Sequence, residues 1–481
     1  MILQLVRFFS NMSNLDQMGS SDIEKGKVDE SVSIHQDRRG MTIEQWKHTF
    51  NYELLEAKSS PVPVSCCIFK VPEVLRRQEK EPYEPDVVSI GPFHRGVDKF
   101  QLVENVKKWY LNCLFLPLRQ RQRQTVLNMD SLIESIRGQV IRARGYYSDP
   151  CYHLDQNDFI EMLILDGCFL IELFRKAPSE HADRQDKDDP IFNMPCMLEY
   201  LYHDLLLLEN QLPWFVLESI YNLIEDGSPI APLSQVVIDF FKNSVAEPKI
   251  FSYPNPKSPK VEILHILDLI RTSLVHDHLE HANQQKTPAS KLVNHLPQRI
   301  PSAAALSEAG VKFREGPSGC ILNITFKGGV FTIPPLAIDE RTGPMFRNLM
   351  AYEQCYGSCK HMITSYAVLM DNLIDTNKDV DLLCEKHILA NWLSADDASK
   401  FFNDLYNDTT VIDYVYKGVC DEVHSYRKVP WHKWRKKLKR DYFETPWSTT
   451  SFIAAFVLLV LTFLQTIYTL EPYYHPRPAH E

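Results

Sequence analysis

The chain has 481 residues, of which 24% are charged and 44% are hydrophobic, proportions typical of globular proteins. Its 52 Lys and Arg residues and 62 Asp and Glu residues give a formal net charge of −10 at pH 7, which argues against nucleic acid as a partner. The eleven cysteines are scattered without a CxxC pair, a pattern typical of reduced thiols in a cytosolic domain.

The N-terminal residues 1–44 are predicted to be a disordered lead, because residues 10–42 are polar and poor in aromatic side chains. No secretory signal is predicted, since Arg7 interrupts the short apolar patch near the start. Residues 45–440 are then expected to form a soluble domain of mainly α class. This domain could consist of two lobes that divide near residues 245–300.

Helices in this domain are predicted from apolar residues that recur at three- and four-residue spacing. The clearest examples are residues 102–118, 159–174 and 261–274. A further helix over 197–223 contains Pro213, which is expected to kink or divide it. Ser394, with Asp397 three residues later, predicts the start of another helix.

A small β-hairpin or sheet is predicted around residues 311–333. Residues 321–326 alternate with a period of two, Lys327–Gly329 supplies turn residues, and Val330–Ile333 returns. An isolated hairpin is only marginally stable in water, so this element is expected to pack on helices.

Two apolar segments carry polar residues that are predicted to be buried. These residues are Asp166, Asp204, Glu209, Asn210 and Gln211. The favoured interpretation is a structural polar network, because a buried carboxylate needs partners. The alternative is a hydrolase in which buried carboxylates and His94 share a solvent-reachable pocket. On one continuous helix Asp204 and Glu209 would point about 140° apart and would not share a face.

Other motifs predict neither a cofactor nor an enzyme. Cys355, Cys359 and His361 have no second ligand pair at zinc-finger spacing, so a metal site is not predicted. Gly91 and Gly96 fit a phosphate-binding loop poorly. The sequence also contains no GxSxG, HExxH or kinase signature.

A basic stripe precedes an apolar C-terminal segment. The stripe consists of Arg427, Lys428, Lys433, Arg435, Lys436, Lys437, Lys439 and Arg440. Residues 447–470 are predicted to form a single transmembrane helix, followed by a short tail at 471–481. The position of the span near the C-terminus predicts a tail-anchored protein of the plasma membrane or an endomembrane. The positive charges predict that its N-terminal domain is cytoplasmic and that the bilayer and its anionic headgroups are partners.

Several segments, in order along the chain, carry a further signal. They are Phe69–Arg76, Tyr83–Pro85, Val88–His94, Leu165–Phe169, Asp204–Pro213, Ala309–Phe313, Arg347–Gln354 and Pro446–Ser448. Together they resemble the plant family catalogued as domain of unknown function 247. The resemblance implies a mainly helical plant protein with a C-terminal membrane helix. The family has no agreed activity or catalytic residues, and its members have been associated with self-incompatibility and floral sex determination.

The leading hypothesis is a membrane-anchored interaction, recognition or signalling protein that binds an unknown protein partner. The polar loops at 176–190, 247–260 and 281–299 are its candidate contact surfaces, because loops on a rigid scaffold commonly carry specificity. The alternatives are the hydrolase and a structural membrane organiser that uses the basic stripe to concentrate on anionic lipid.

Overall fold

The computed structural model describes residues 65–115, 128–149, 151, 153–177, 189–225, 231–242, 262–284, 296–429 and 446–474. Within these ranges the protein contains sixteen α-helices and two small sheets, which confirms the predicted mainly α fold. The lead predicted at 1–44 lies outside the described residues. Residues 245–261 and 285–295 of the predicted division near 245–300 also lie outside them, and the division stays a prediction.

The helices follow one another along the chain with few strands between them. The first eight are α1 (Glu73–Arg76), α2 (Gln101–Phe115), α3 (Met129–Arg137), α4 (Val140–Arg144), α5 (Gln156–Lys176), α6 (Pro195–Asp204), α7 (Trp214–Ile224) and α8 (Leu233–Lys242). The next eight are α9 (Ile266–Gln284), α10 (Ala303–Glu308), α11 (Thr342–Cys355), α12 (Met362–Leu373), α13 (Asn377–Glu385), α14 (Ala395–Leu405), α15 (Lys417–Arg427) and α16 (Pro446–Tyr474).

Helix α5 is the central helix of the domain. It contacts α2, α3, α7 and α8, and every residue from Met162 to Phe174 is buried. A helix that is apolar on all sides needs neighbours around its whole circumference, which explains this central position. The Asp155 side chain caps its N-terminus by accepting a hydrogen bond from the backbone N–H of Asp158 at 2.8 Å.

The helix predicted over 197–223 is divided into two. Helix α6 ends at Asp204, and α7 begins at Trp214 with Pro213 as its N-cap. Proline fits a helix start because its φ is fixed and it has no N–H to satisfy. The helical angle calculated between Asp204 and Glu209 therefore does not apply, since the intervening chain is irregular and entirely buried.

The predicted β element is a three-stranded sheet with the order β1–β3–β2. Its strands are β1 (Lys312–Glu315), β2 (Thr325–Lys327) and β3 (Val330–Ile333). Strands β2 and β3 form an antiparallel hairpin, whose turn uses Gly328 and Gly329 at φ +57° and +81°. Two consecutive residues with positive φ are the requirement of a type I′ turn.

Strand β1 pairs with β3 in parallel, and this pairing was not predicted. The second sheet pairs β4 (Leu336–Ile338) with β5 (Leu389–Asn391), also in parallel. Sequence analysis missed this sheet because each strand has three residues, which is too short for a readable alternation.

The last helix has the dimensions of a membrane span. Its segment Thr450–Leu470 has 21 residues, is apolar, and is not buried by the rest of the protein. At about 1.5 Å per residue this length matches a hydrocarbon core of about 30 Å. The helix continues to Tyr474, four residues into the predicted tail.

Gly167 provides a test of this packing, because a Cβ there would lie 2.3 Å from Ile220 Cδ1 on α7. We expect Gly167→Ala to lower the free energy of unfolding by about 1–3 kcal/mol through overpacking. Ile220→Val removes Cδ1, so the double variant should be more stable than the sum of the two single effects. Urea unfolding of the full chain in detergent measures this, and strictly additive effects would contradict it.

Candidate functional site

A segment at residues 85–94 runs through the domain without regular secondary structure, with several bends and a turn at its end. Its backbone N–H groups bond to side chains instead of to a neighbouring strand. The Asp204 carboxylate accepts three of them, from Asp86 and Val87 at 2.7 Å and from Val88 at 2.8 Å. Three charge-assisted hydrogen bonds compensate a carboxylate that is fully buried.

Asn210 and Gln211 extend this arrangement along the irregular stretch between α6 and α7. Asn210 Oδ1 accepts from the N–H of Ile90 at 2.6 Å, while its amide donates to the carbonyls of Val88 and Asp204. The Gln211 amide donates to two carbonyls within its own stretch, and its Oε1 accepts from the N–H of Leu267 at 3.1 Å. These amides therefore satisfy backbone groups that the irregular chain leaves unpaired.

Gly91 lies where the two segments come closest. A Cβ at this position would lie 2.7 Å from the carbonyl oxygen of Gln211, and the residue has φ +76°. Both facts require glycine here. The N–H of Gly91 donates to Asp166 Oδ2 at 2.8 Å, so Asp166 on α5 joins the same network.

The partner of Asp166 is a buried lysine. Lys107 Nζ donates to Asp166 Oδ1 at 2.6 Å and to Glu104 at 2.6 Å, and it also contacts the carbonyl of Ser89. Burial raises the pKa of Asp166 above its usual value, and the Lys107 ammonium opposes this shift. Sequence analysis named Asp166 but missed Lys107. A lysine in an amphipathic helix is ordinarily exposed, so the local sequence did not indicate that Lys107 is buried.

Glu209 anchors the N-terminal part of the described chain. Its Oε1 accepts from the N–H of Val71 at 2.6 Å and contacts the Arg76 guanidinium, and its Oε2 lies 3.2 Å from His94 Nε2. Burial would raise the pKa of Glu209, but His94, Arg76 and the Val71 amide outweigh it and hold the pKa below its ordinary value. Glu209 therefore acts as an ionised acceptor.

A second buried network was not predicted from the sequence. Glu353 on α11 accepts hydrogen bonds from the first N–H groups of α12, at Met362, Ile363 and Thr364, and pairs with Arg271 of α9. Carboxylates stabilise helix N-termini through the unpaired N–H groups and the helix dipole. Glu353 falls within Arg347–Gln354, one of the segments that carry the family resemblance. Membership in that segment was the sequence signal that could have identified Glu353.

Asp86, His203 and Asp204 bring three ligand atoms within 4.8 Å of one another. His203 Nδ1 lies 2.9 Å from Asp204 Oδ1 and 3.3 Å from Asp86 Oδ2. Both Asp204 oxygens already accept backbone N–H groups, so this geometry fits an imidazolium between two carboxylates better than a cation site. Burial lowers the pKa of His203, but Asp204 and Asp86 outweigh it and raise the pKa above 6.5.

The hydrolase hypothesis required a solvent-reachable pocket that joins the buried carboxylates to His94. In the described residues Asp166, Asp204 and Glu209 are all buried, and each has hydrogen-bond donors directed at it. These carboxylates accept hydrogen bonds that hold the fold together.

The structure describes only two members of the basic stripe. Arg427 and Lys428 lie at the C-terminal end of α15, and the remaining members lie outside the described residues.

Comparison with known proteins identifies the family. A family model described as a plant protein of unknown function, DUF247, matches residues 68–461. The chain belongs to the DUF247 family. It is 30% identical to UPF0481 protein At3g47200 of Arabidopsis thaliana over 86% of this chain and 88% of that protein. It is 24% identical to putative UPF0481 protein At3g02645 of the same plant, over 86% and 91%. No solved structure matches the chain significantly.

Six of the eight segments that carry the DUF247 resemblance meet in this network. Tyr83–Pro85 and Val88–His94 flank or supply the irregular backbone, Asp204–Pro213 supplies most of its acceptors, Leu165–Phe169 supplies Asp166, and Phe69–Arg76 supplies the Val71 and Arg76 donors to Glu209. Asn348, from Arg347–Gln354, joins them by accepting from the N–H of Leu208 at 2.9 Å and donating to the carbonyl of Pro82 at 2.7 Å. Most of the segments that carry the resemblance therefore contribute residues to the network that holds this DUF247 domain together.

Asp204 tests the network directly. Asp204→Asn keeps the shape but replaces one acceptor oxygen by an amide, which leaves at least one buried backbone N–H unpaired. We expect the free energy of unfolding to fall by about 1–3 kcal/mol. The matched change Glu161→Gln, at an exposed position of α5, should stay within about 0.5 kcal/mol. Equal effects of the two changes in urea unfolding would refute the structural role of Asp204.

His203 gives the DUF247 domain a pH-dependent contribution to stability. Because its folded pKa is raised, the contribution is fully present below the unfolded pKa of 6.5 and is lost as the pH rises through the folded value. The raised pKa of Asp86, caused by burial and by Asp204, acts in the same direction. His203→Gln should therefore destabilise more at pH 5.5 than at pH 8.5. Urea unfolding at both values checks this, and a larger loss at pH 8.5 would reverse the sign.

Proposed function

We propose that this DUF247 protein is a membrane-anchored recognition protein whose helical domain binds a protein partner beside an anionic membrane surface. The observation that carries the proposal is the exposed apolar helix segment Thr450–Leu470, which follows a run of eight Lys and Arg residues. An apolar surface of this size is unfavourable in water and suits lipid. The proposal includes a recognition role in plant reproduction, which the family resemblance implies.

The residues at the two ends of the span support one orientation of the chain across the membrane. Trp447 and Tyr468 are exposed aromatic residues near opposite ends of the apolar segment, as in the aromatic belts of membrane proteins. The basic stripe lies on the domain side, whereas the sequence after the span carries only Glu471, Arg477 and Glu481 as charged side chains. By the positive-inside rule, the proposed position of the domain is cytoplasmic.

Recognition is favoured over catalysis because the buried charges of the described residues are occupied by structural contacts. A domain interlocked in this way is a rigid scaffold, and variable loops on a scaffold commonly carry specificity. We therefore assign partner contact to the polar loops at 176–190, 247–260 and 281–299, most of which lie outside the described residues.

Membrane anchoring is tested by alkaline carbonate extraction of the full chain. We expect the protein to remain in the membrane pellet and the double variant Leu459→Arg, Phe463→Arg to move to the supernatant, because each central arginine costs about 2.5–3.5 kcal/mol. The control variant Thr450→Arg, Leu470→Arg places its charges at the ends, where long side chains reach the interface, and should stay in the pellet. Recovery of the unaltered protein in the supernatant would refute anchoring.

The partner is tested by proximity labelling with tags on each terminus of the anchored protein. Replacing 247–260 by a Gly/Ser segment of equal length should remove specific neighbours of the N-terminal tag and leave carbonate extraction unchanged. An unchanged set of neighbours after replacement of all three loops would exclude them as the contact surface.

A further inference from the structure

We infer that the outer face of the three-stranded sheet is a second contact with anionic lipid, in addition to the basic stripe. This basic sheet face is defined by Lys312, Arg314 and Lys327. The inference rests on the proposed function, because it needs the domain to lie beside an anionic leaflet, and it adds which side of the domain faces the lipid.

The strand registers place the three cations on one face. Lys312 and Lys327 both pair with Val330 and so lie in one row across the sheet. Arg314 lies in the next row on that face, beside Thr332 and Thr325. Partners in register point to the same side, so neither row contains a carboxylate.

The opposite face is closed. Phe313, Phe331 and Phe326 form its central row and are buried, with the rings of Phe313 and Phe331 stacked at 5.7 Å. The basic sheet face therefore has only one orientation available, toward the outside of the domain. Lys312, Arg314 and Lys327 are all exposed, and within the described residues none of them forms an ion pair. A cation without an internal partner is free to interact with an external anion.

The position of the sheet links it to the membrane. Its hairpin turn packs on Tyr426 of α15, where a Cβ on Gly329 would lie 2.5 Å from the tyrosine ring, and the Phe326 and Tyr426 rings are 5.7 Å apart. Tyr426 directly precedes Arg427 and Lys428, the first members of the basic stripe. Lys312 and Lys327 lie in the row next to this turn, so the sheet and the stripe present positive charge from one corner of the domain.

The covalent chain keeps this corner near the bilayer. Residues 430–445 connect α15 to α16, and a chain of that length reaches at most about 55 Å at roughly 3.5 Å per residue. Lys and Arg near an anionic leaflet are attracted over about one Debye length, ~10 Å at 0.1 M salt. Anchoring therefore confines the basic sheet face to the neighbourhood of the leaflet, where lipid attracts it once it lies within that range.

Lipid suits this face better than an acidic protein does. Specific protein interfaces use buried aromatic or apolar anchors, and the two rows offer only a half-buried Val330 and two threonines beside the cations. Headgroup contact requires charge alone. A groove lined in part by Asp421 and Glu422 also contains Gly328 and Tyr426, so negative charge lies beside the hairpin turn on the α15 side, and the β1 side of the face should approach the lipid.

The test uses the full chain in nanodiscs of neutral phosphatidylcholine or of phosphatidylcholine with about one third phosphatidylserine. Acetylation rates of individual lysines, measured by mass spectrometry, report their access to solvent. We expect Lys312 and Lys327 to react at least threefold more slowly in anionic discs, and high salt to remove the difference because it screens the attraction. The exposed lysines Lys108, Lys378 and Lys400 serve as references and should react equally in both discs.

Arg314→Glu keeps both reporter lysines and reverses the charge in the row next to them. It should remove at least half of their protection in anionic discs, whereas the matched reversal Lys400→Glu should leave that protection unchanged. Equal rates for Lys312 in the two disc types would overturn the inference. So would protection in neutral discs that appears only when plant extract is added, because that would indicate a protein partner. Failure of the chain to enter discs would instead refute the membrane anchor.

Discussion

The domain depends on side chains that accept hydrogen bonds from backbone N–H groups, as a neighbouring strand would do in a sheet. Residues 86–91 have no regular secondary structure and are mostly buried, and a buried backbone N–H without a partner is costly. A sheet would pair them through another backbone. Here Asp204, Asn210 and Asp166 accept five of these N–H groups from three different points in the chain. The consequence is that segments far apart in sequence are held in one fixed arrangement.

The same solution recurs at helix starts elsewhere in the domain. Glu353 accepts the first N–H groups of α12, and Asp379 accepts both the Ala304 N–H at the start of α10 and the Thr376 N–H before α13. Burial raises the pKa of Asp379, but these donors outweigh it and lower the pKa. One carboxylate thereby accepts N–H groups at the starts of two helices and links these two helix starts to each other. These buried carboxylates therefore connect secondary-structure elements that are distant in sequence.

The sequence predicted those structural elements whose residue pattern is local. The central part of α5, the hairpin with its two glycines, the cap at Ser394 and the apolar C-terminal helix were each readable within a window of a few residues. The polar network was predicted as a set of residues but without partners, since Asp204 meets Val88 across 116 positions. The irregular stretch between α6 and α7 was read as helix because its leucines fit a helical spacing, and tertiary hydrogen bonds override that preference.

The arrangement of charge also constrains how such a domain can sit beside a membrane. The chain is acidic overall although its stripe contributes eight positive charges, so the remainder of the domain is more acidic than the whole. An anionic leaflet would repel that remainder and attract only its basic parts. Arg427 and Lys428 directly follow Tyr426, on which the hairpin turn packs, so attraction and tether would act at the same corner. Asp421 and Glu422 line a groove beside Tyr426 and would oppose that attraction in part. Under the proposed anchoring, both forces would favour one orientation, with the opposite side of the domain turned toward the solvent.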